Sequence, residues 1–214
     1  MIKVIFMDFD GTVSDVRESV VRSLVRVLDE FGYEYDHNLI MDLIGSKMQV
    51  ILRGLGIDER HLVKVRKKFY KYLRGAVLSG GTKPCVSLKP LWELSKEYPL
   101  VVVSNANTRF IRASIKQLGI KGLFLGVYGA ENFYTKDVML RRLFKKYKIS
   151  PREAMYVGDR FSDIDYARDA GCVAVAIHNK CSWSDLNAIK REKPNFLIKD
   201  FRELKRLVEE LNGD

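Results

Sequence analysis

The chain has 214 residues, 47% of them apolar, and a formal net charge of +10 from 37 basic and 27 acidic side chains. That length suits one large domain, or a core domain with a small insertion. No apolar run approaches the ~20 residues that span a bilayer, and the first residues do not form a cleavable signal, so a cytoplasmic protein is expected. Cys85, Cys172 and Cys181 contain no C-x-x-C, and His37, His61 and His178 are scattered. Neither a zinc site nor a Ser/His triad has support. The positive charge can attract nucleic acid or small phosphates. It also fits a surface rich in ion pairs, and that reading is favoured because the basic residues spread over many amphipathic helices. No nucleic-acid partner is expected.

The chain opens with a short apolar, β-branched run over residues 2–7, which reads as a buried strand. It ends in Asp8-Phe9-Asp10-Gly11-Thr12-Val13-Ser14-Asp15. Residues two apart on a strand point to the same side, so Asp8 and Asp10 can present two carboxylates together. Such a pair repels unless a cation intervenes or one acid keeps its proton. The arrangement suits Mg²⁺, which prefers oxygen ligands. The same residues also fit an Asp/Gly turn with both acids solvated.

Residues 16–76 read as helices with no strand between them. Apolar residues recur at helical spacing from Val16 to Phe31, and a second short piece ends at Gly45. Ser46 is expected to cap a third helix through Leu52, and Asp58 a fourth through Leu73. A loop follows over 78–84. Beyond it the pattern alternates: helix 87–97, strand 100–103, helix 108–118, strand 124–128, helix 135–147. A capping box at Ser150-Pro151-Arg152-Glu153 starts one helical turn. Strand 154–157, helix 163–170, strand 172–177, helix 184–191, strand 196–198 and helix 200–211 complete the chain. Alternation of this kind predicts an α/β fold, a Rossmann-like parallel sheet with helices on both faces. The expected division is a core of residues 1–15 and 77–214, with an all-helical cap of residues 16–76 inserted after the first strand. The cap would sit over the Asp8/Asp10 end as a lid.

Three later stretches carry chemistry. Strand 100–103 runs into Ser104-Asn105-Ala106-Asn107, where a hydroxyl and helix-start N–H groups can donate toward one point. Ser104 or Asn105 can equally cap the next helix. Lys136 opens a helix, against the dipole preference, which hints that it points at negative charge, although a solvated surface lysine is the commoner reading of such a residue. Val157-Gly158-Asp159-Arg160-Phe161-Ser162-Asp163 follows a strand, and Asp159 faces the strand's carboxyl end.

Together these pieces resemble the haloacid dehalogenase-like hydrolases. Asp8 to Asp15 fills the family's first motif, D-x-D-G-[TV]-x-x-D. Ser104 stands for the second motif and Lys136 for the third. That motif is often written K-P-x-P, and both prolines are absent here. Gly158-Asp159 with Asp163 stands for the fourth. The resemblance covers the chain from Asp8 to Gly171 and is nearest the phosphoglycolate-phosphatase-like enzymes.

It implies a Mg²⁺-dependent phosphomonoester hydrolase acting on a small phosphorylated metabolite, as a monomer or homodimer. Asp8 would be the nucleophile and Asp10 the general acid and base. Ser104, Asn105 and Lys136 would bind the phosphoryl group. Asp8, the Asp10 main-chain carbonyl and Asp159 would hold the metal, with Asp163 behind them. Ser46, Lys47 and Arg53 of the insertion can meet the far end of the substrate, and can equally be solvated. The acid at Asp10 argues against a dehalogenase, since a halide leaves without a proton. A β-phosphoglucomutase-like phosphotransferase is the main alternative. A nucleic-acid-binding or regulatory protein on an inactive hydrolase fold is a third, which the intact acids disfavour.

Overall fold

The computed structural model describes residues 1–213. Six strands form one parallel sheet: β1 (Val4–Met7), β4 (Leu100–Val103), β5 (Gly126–Tyr128), β6 (Ala154–Gly158), β7 (Val173–Ile177) and β8 (Phe196–Ile198). Their order is β5-β4-β1-β6-β7-β8. The chain steps outward from β1 to β5, then returns to the other side of β1 and steps outward again. Such a reversal opens a crevice at the carboxyl ends of the central strands, where ligands of open α/β sheets bind.

Period-two alternation sorts the strand side chains onto two faces. Ile5, Met7, Leu100, Val102, Met155 and Val157 join one apolar cluster, while Val4, Phe6, Val101, Val103 and Tyr156 join the other. The second face is covered by α7 (Lys136–Tyr147), α8 (Phe161–Ala170) and α9 (Leu186–Arg191). The first is covered by α5 (Lys89–Leu94), α6 (Thr108–Gln117) and α10 (Phe201–Asn212). Burial on both sides explains why β1 and β4 are uninterrupted apolar runs.

Four helices lie between β1 and β4: α1 (Arg17–Glu30), α2 (His37–Leu43), α3 (Met48–Gly54) and α4 (Glu59–Leu78). They form the helical cap, and its apolar residues Leu24, Leu28 and Phe69 continue into the cluster holding Phe9 and Phe110. Asp58 caps α4 by accepting from Arg60 N–H at 2.8 Å. Ser46 does not cap α3. Lys47 occupies the cap position without a side-chain bond, because extended backbone (φ −59°, ψ 138°) persists one residue further than expected. α4 runs to Leu78, beyond Leu73 and past the expected limit of the helical insertion at 76. The loop expected over 78–84 contains β3 (Lys83–Pro84), which pairs antiparallel with β2 (Ser14–Asp15). Helix 87–97 contracts to α5, with Pro90 in its first turn. Among the described residues, no helix is long and apolar enough to cross a membrane.

Candidate active site

Three parallel neighbours deliver Asp8, Ser104 and Asp159 to one edge of the sheet, because each residue follows its strand directly. Asp8 N–H continues the ladder by donating to the Val157 carbonyl at 2.9 Å. The chain then folds back tightly: Val13 and Ser14 N–H both donate to the Phe9 carbonyl. Gly11 makes that turn with φ +82°, and a Cβ there would lie 2.4 Å from Asp159 Oδ2. Only glycine allows so close an approach.

Asp159 is wholly buried. Its Oδ1 accepts from the Thr12 hydroxyl at 2.8 Å, and its Oδ2 from Trp183 N–H at 2.7 Å. Lys136, at the start of α7, points inward. Its Nζ donates to Asp8 Oδ2 at 2.8 Å and to Asp163 Oδ1 at 2.7 Å. The other oxygen of Asp163 accepts from Arg160 N–H at 3.1 Å, fixing the start of α8.

These charges sit in a poorly solvated place, and their proton affinities follow. Burial, then repulsion from Asp8 and Asp159, pushes the Asp10 carboxyl well above its ordinary range, with Lys136 opposing. Burial, then Asp163 and Asp8, pushes Asp159 up to about 7, against the hydrogen bonds from Trp183 and Thr12. Asp163 also rises, through burial, although Lys136 opposes it. For Lys136 burial works against the charged form, but Asp163 and Asp8 outweigh it and hold the ammonium above the ordinary lysine value.

Asp8, Asp159 and Asp163 each offer an oxygen within 4.8 Å of the others. An all-oxygen set of buried acids, two of them pushed up by burial and by neighbouring carboxylates, fits a hard divalent cation such as Mg²⁺. The Asp10 carboxylate is not in that trio. It lines the adjoining chamber, and its Oδ1 is buried without a hydrogen-bond partner.

Ser104 is buried, and its Oγ accepts from Ala106 N–H at 3.3 Å, leaving its own proton free to donate. Neither Ser104 nor Asn105 caps α6: Asn107 does, accepting from Arg109 N–H at 3.0 Å. The Asn105 amide instead reaches the cap, donating to the Gly45 carbonyl at 3.2 Å.

The chamber over these groups encloses about 40 Å³. Its floor is Asp8, Asp10, Ser104 and Asn105, and its cap side includes Met48, Ile51, Phe69 and Leu73. Ser46 lines it too, as expected of a residue meeting the far end of a substrate. Lys47 does not face it. Its Nζ donates to the Ala130 and Phe133 carbonyls and lies 4.5 Å from the Phe133 ring centroid. Arg53 is paired with Glu59 on the exposed surface. Four residues escaped the sequence reading: Thr12 and Trp183, which donate to Asp159, Arg160, whose N–H donates to Asp163, and Tyr70, which lines the chamber. Thr12 and Arg160 lie inside motifs already singled out, whereas no local pattern marks Tyr70 on α4 or Trp183 in the loop after β7.

The model of the haloacid dehalogenase-like hydrolases matches residues 4–177. The phosphoglycolate phosphatase of Haemophilus influenzae is 26% identical, covering 94% of this chain and 96% of its own length. The phosphoglycolate phosphatase of Synechococcus elongatus is also 26% identical and covers 97% of each. A solved haloacid dehalogenase-like hydrolase from Streptococcus pneumoniae superposes with a TM-score of 0.83 at 20% identity, covering 97% of this chain and 98% of its own. That last likeness shows the fold.

Proposed function

Because the chain belongs to the haloacid dehalogenase-like hydrolase family and is a phosphoric monoester hydrolase, we propose that it cleaves small phosphomonoesters through an aspartyl-phosphate on Asp8. A carboxylate oxygen of Asp8 attacks phosphorus. The bond from phosphorus to the leaving oxygen breaks, and Asp10 gives that oxygen its proton. Asp10 then takes a proton from the water that attacks the phospho-aspartate, releasing phosphate and restoring Asp8. Ser104, Lys136 and the backbone N–H of Asn105 hold the phosphoryl oxygens. Asp8, the Asp10 carbonyl and Asp159, with Asp163 behind them, would hold Mg²⁺, which would supply charge neutralisation for the approach of carboxylate to phosphate.

The observation that carries this reading is the contrast between the two acids of the first motif. Asp8 is held by a buried ammonium, while Asp10, two residues on, is half-buried, with its Oδ1 buried and unpartnered, and is biased toward its protonated form. Such a contrast supports reading Asp8 as the nucleophile and Asp10 as the acid. The cap, inserted over the strand ends, serves as the lid that excludes water. A chamber of about 40 Å³ holds little more than water in the present arrangement, so substrate enters when the cap swings away. The protein works as a monomer or homodimer in the cytoplasm, and phosphoglycolate, for which the relatives are named, is the first substrate to try.

The test is a phosphate-release screen over small phosphoesters, with and without Mg²⁺, beside the Asp8→Asn variant. Turnover is expected only with Mg²⁺ and intact Asp8; equal release by Asp8→Asn ends the proposal. A β-phosphoglucomutase-like phosphotransferase would instead interconvert sugar phosphates when bisphosphate is supplied.

A further inference from the structure

Arg160 has no task in the reaction above. It follows Asp159 directly and precedes α8, and only its backbone is engaged: its N–H donates to Asp163 Oδ2 and its carbonyl accepts from Asp163 N–H. The residue is 8% exposed. Its Nη1 lies against the cap, 2.5 Å from where a Cβ on Gly45 would be. Its Cζ is 5.7 Å from the Phe161 ring centroid. Its Nε is buried without a partner, and among the described residues the guanidinium makes no hydrogen bond or ion pair. A buried guanidinium without a counter-charge is costly unless something supplies one.

A second unpartnered donor stands beside it. Trp183 Nε1 is buried without an acceptor, and the indole also lies against Gly45. Arg160 and Trp183 both line the chamber. The insertion offers no competing cation there, since Lys47 and Arg53 are engaged elsewhere. Among the described residues lining the chamber, Arg160 is the cation, and the cap wall facing it is mostly apolar.

We propose that Arg160, aided by the Trp183 indole N–H, is the specificity-determining residue of the chamber and receives a carboxylate on the leaving group. This rests on the hydrolase reading and deepens it: the substrates are short phosphorylated acids rather than neutral alkyl or sugar phosphates. A planar guanidinium matches a carboxylate with two parallel hydrogen bonds. The substrate is short because Arg160 is the immediate neighbour of Asp159, one Cα step of about 3.8 Å along the backbone. The apolar cap wall accepts a carbon chain but offers little to a ring of hydroxyls.

The experiment compares phosphoglycolate with ethyl phosphate, which carries a methyl where the acid stands. Wild-type kcat/KM should favour phosphoglycolate by about tenfold or more, the worth of a charge-assisted contact. Arg160→Met should erase that preference, mainly through KM, and Arg160→Lys should recover part of it. Should Arg160→Met fail to fold, Trp183→Phe keeps the ring, loses the donor and should lower the same preference severalfold. A turnover-free readout uses the Asp8→Asn protein with Mg²⁺. Phosphoglycolate should raise its melting temperature more than ethyl phosphate does, and adding Arg160→Met should abolish the difference. Asp8-dependent release with a preference that neither Arg160→Met nor Trp183→Phe alters overturns this assignment and leaves the hydrolase intact. Absence of Asp8-dependent release from both esters overturns the hydrolase reading, and this assignment with it.

Discussion

Lys136 Nζ stands between two carboxylates, 2.8 Å from Asp8 Oδ2 and 2.7 Å from Asp163 Oδ1, with 1% of its side chain exposed. A cation in the first turn of a helix opposes the dipole by roughly 0.3–1 kcal/mol, so the two acids decide where it points. Lys136→Met leaves them facing each other in a buried site. Breaking a buried pair costs about 3–5 kcal/mol. Urea unfolding of the metal-free protein should show a loss of that order, and phosphate release should be abolished. Adding Asp163→Asn should return part of the stability and none of the activity; strictly additive losses would deny the coupling.

Asp10 as proton donor predicts a dependence on the leaving group. Alkoxides need a proton to depart, whereas p-nitrophenolate does not. Asp10→Asn should therefore slow hydrolysis of an alkyl phosphate by about 10²–10⁴-fold and that of p-nitrophenyl phosphate far less. Equal losses on both would remove Asp10 from that role.

The raised value of Asp159 links stability to pH. Its ordinary value is 3.8, and in the fold it stands at about 7. Between those values the folded chain keeps a proton that the unfolded chain has released. The metal-free protein therefore loses stability as pH climbs from 3.8 to about 7, and Asp159's contribution is flat above that. Asp159→Asn should flatten this part of the slope. Because the ligand must be deprotonated, Mg²⁺ should raise the melting temperature more at pH 8 than at pH 5. A melting temperature that rises over this range without metal would contradict the assignment.

Gly45 combines φ +86° with contact: an added Cβ would meet Arg160 Nη1 at 2.5 Å and Trp183 Cε3 at 2.6 Å. Gly45→Ala strains the backbone by about 1–2 kcal/mol and wedges the cap off the core, so KM should rise about tenfold, near the 1.4 kcal/mol that such a factor represents. Gly32, with φ +69° and nothing near its missing Cβ, is the control. Gly32→Ala should show the strain in a melting curve and leave KM alone.

Much of this site is legible in the chain because its members follow strands directly. A strand fixes the direction of the next residue, so Asp8, Ser104 and Asp159 share an edge once the sheet is parallel. Lys136 was marked only by standing against a helix dipole, without the prolines that often accompany it, yet it reaches its partners. Trp183 left no such trace. Its N–H meets Asp159 from a loop 24 residues later, and an irregular segment carries no periodicity to read. Ser46 misled for a related reason: a hydroxyl before an apolar run suggests a cap, but one extra extended residue moved the cap position to Lys47. The β2–β3 pair, two residues a side, is too short for any pattern to announce.

That small ribbon has its own consequence. Asp15 lies opposite Lys83 and Ser14 opposite Pro84, and the Ser14 and Thr82 hydroxyls are 2.7 Å apart. The two crossings of the main chain into and out of the helical block are thus stitched together beside the reaction centre. Whatever is threaded between them, the sheet below sees the same pair of neighbouring ends. A foreign insert with closely spaced termini could replace α1–α4 without asking β1 or β4 to move, which makes this junction a natural splice point for grafting a new selectivity onto an unchanged set of acids.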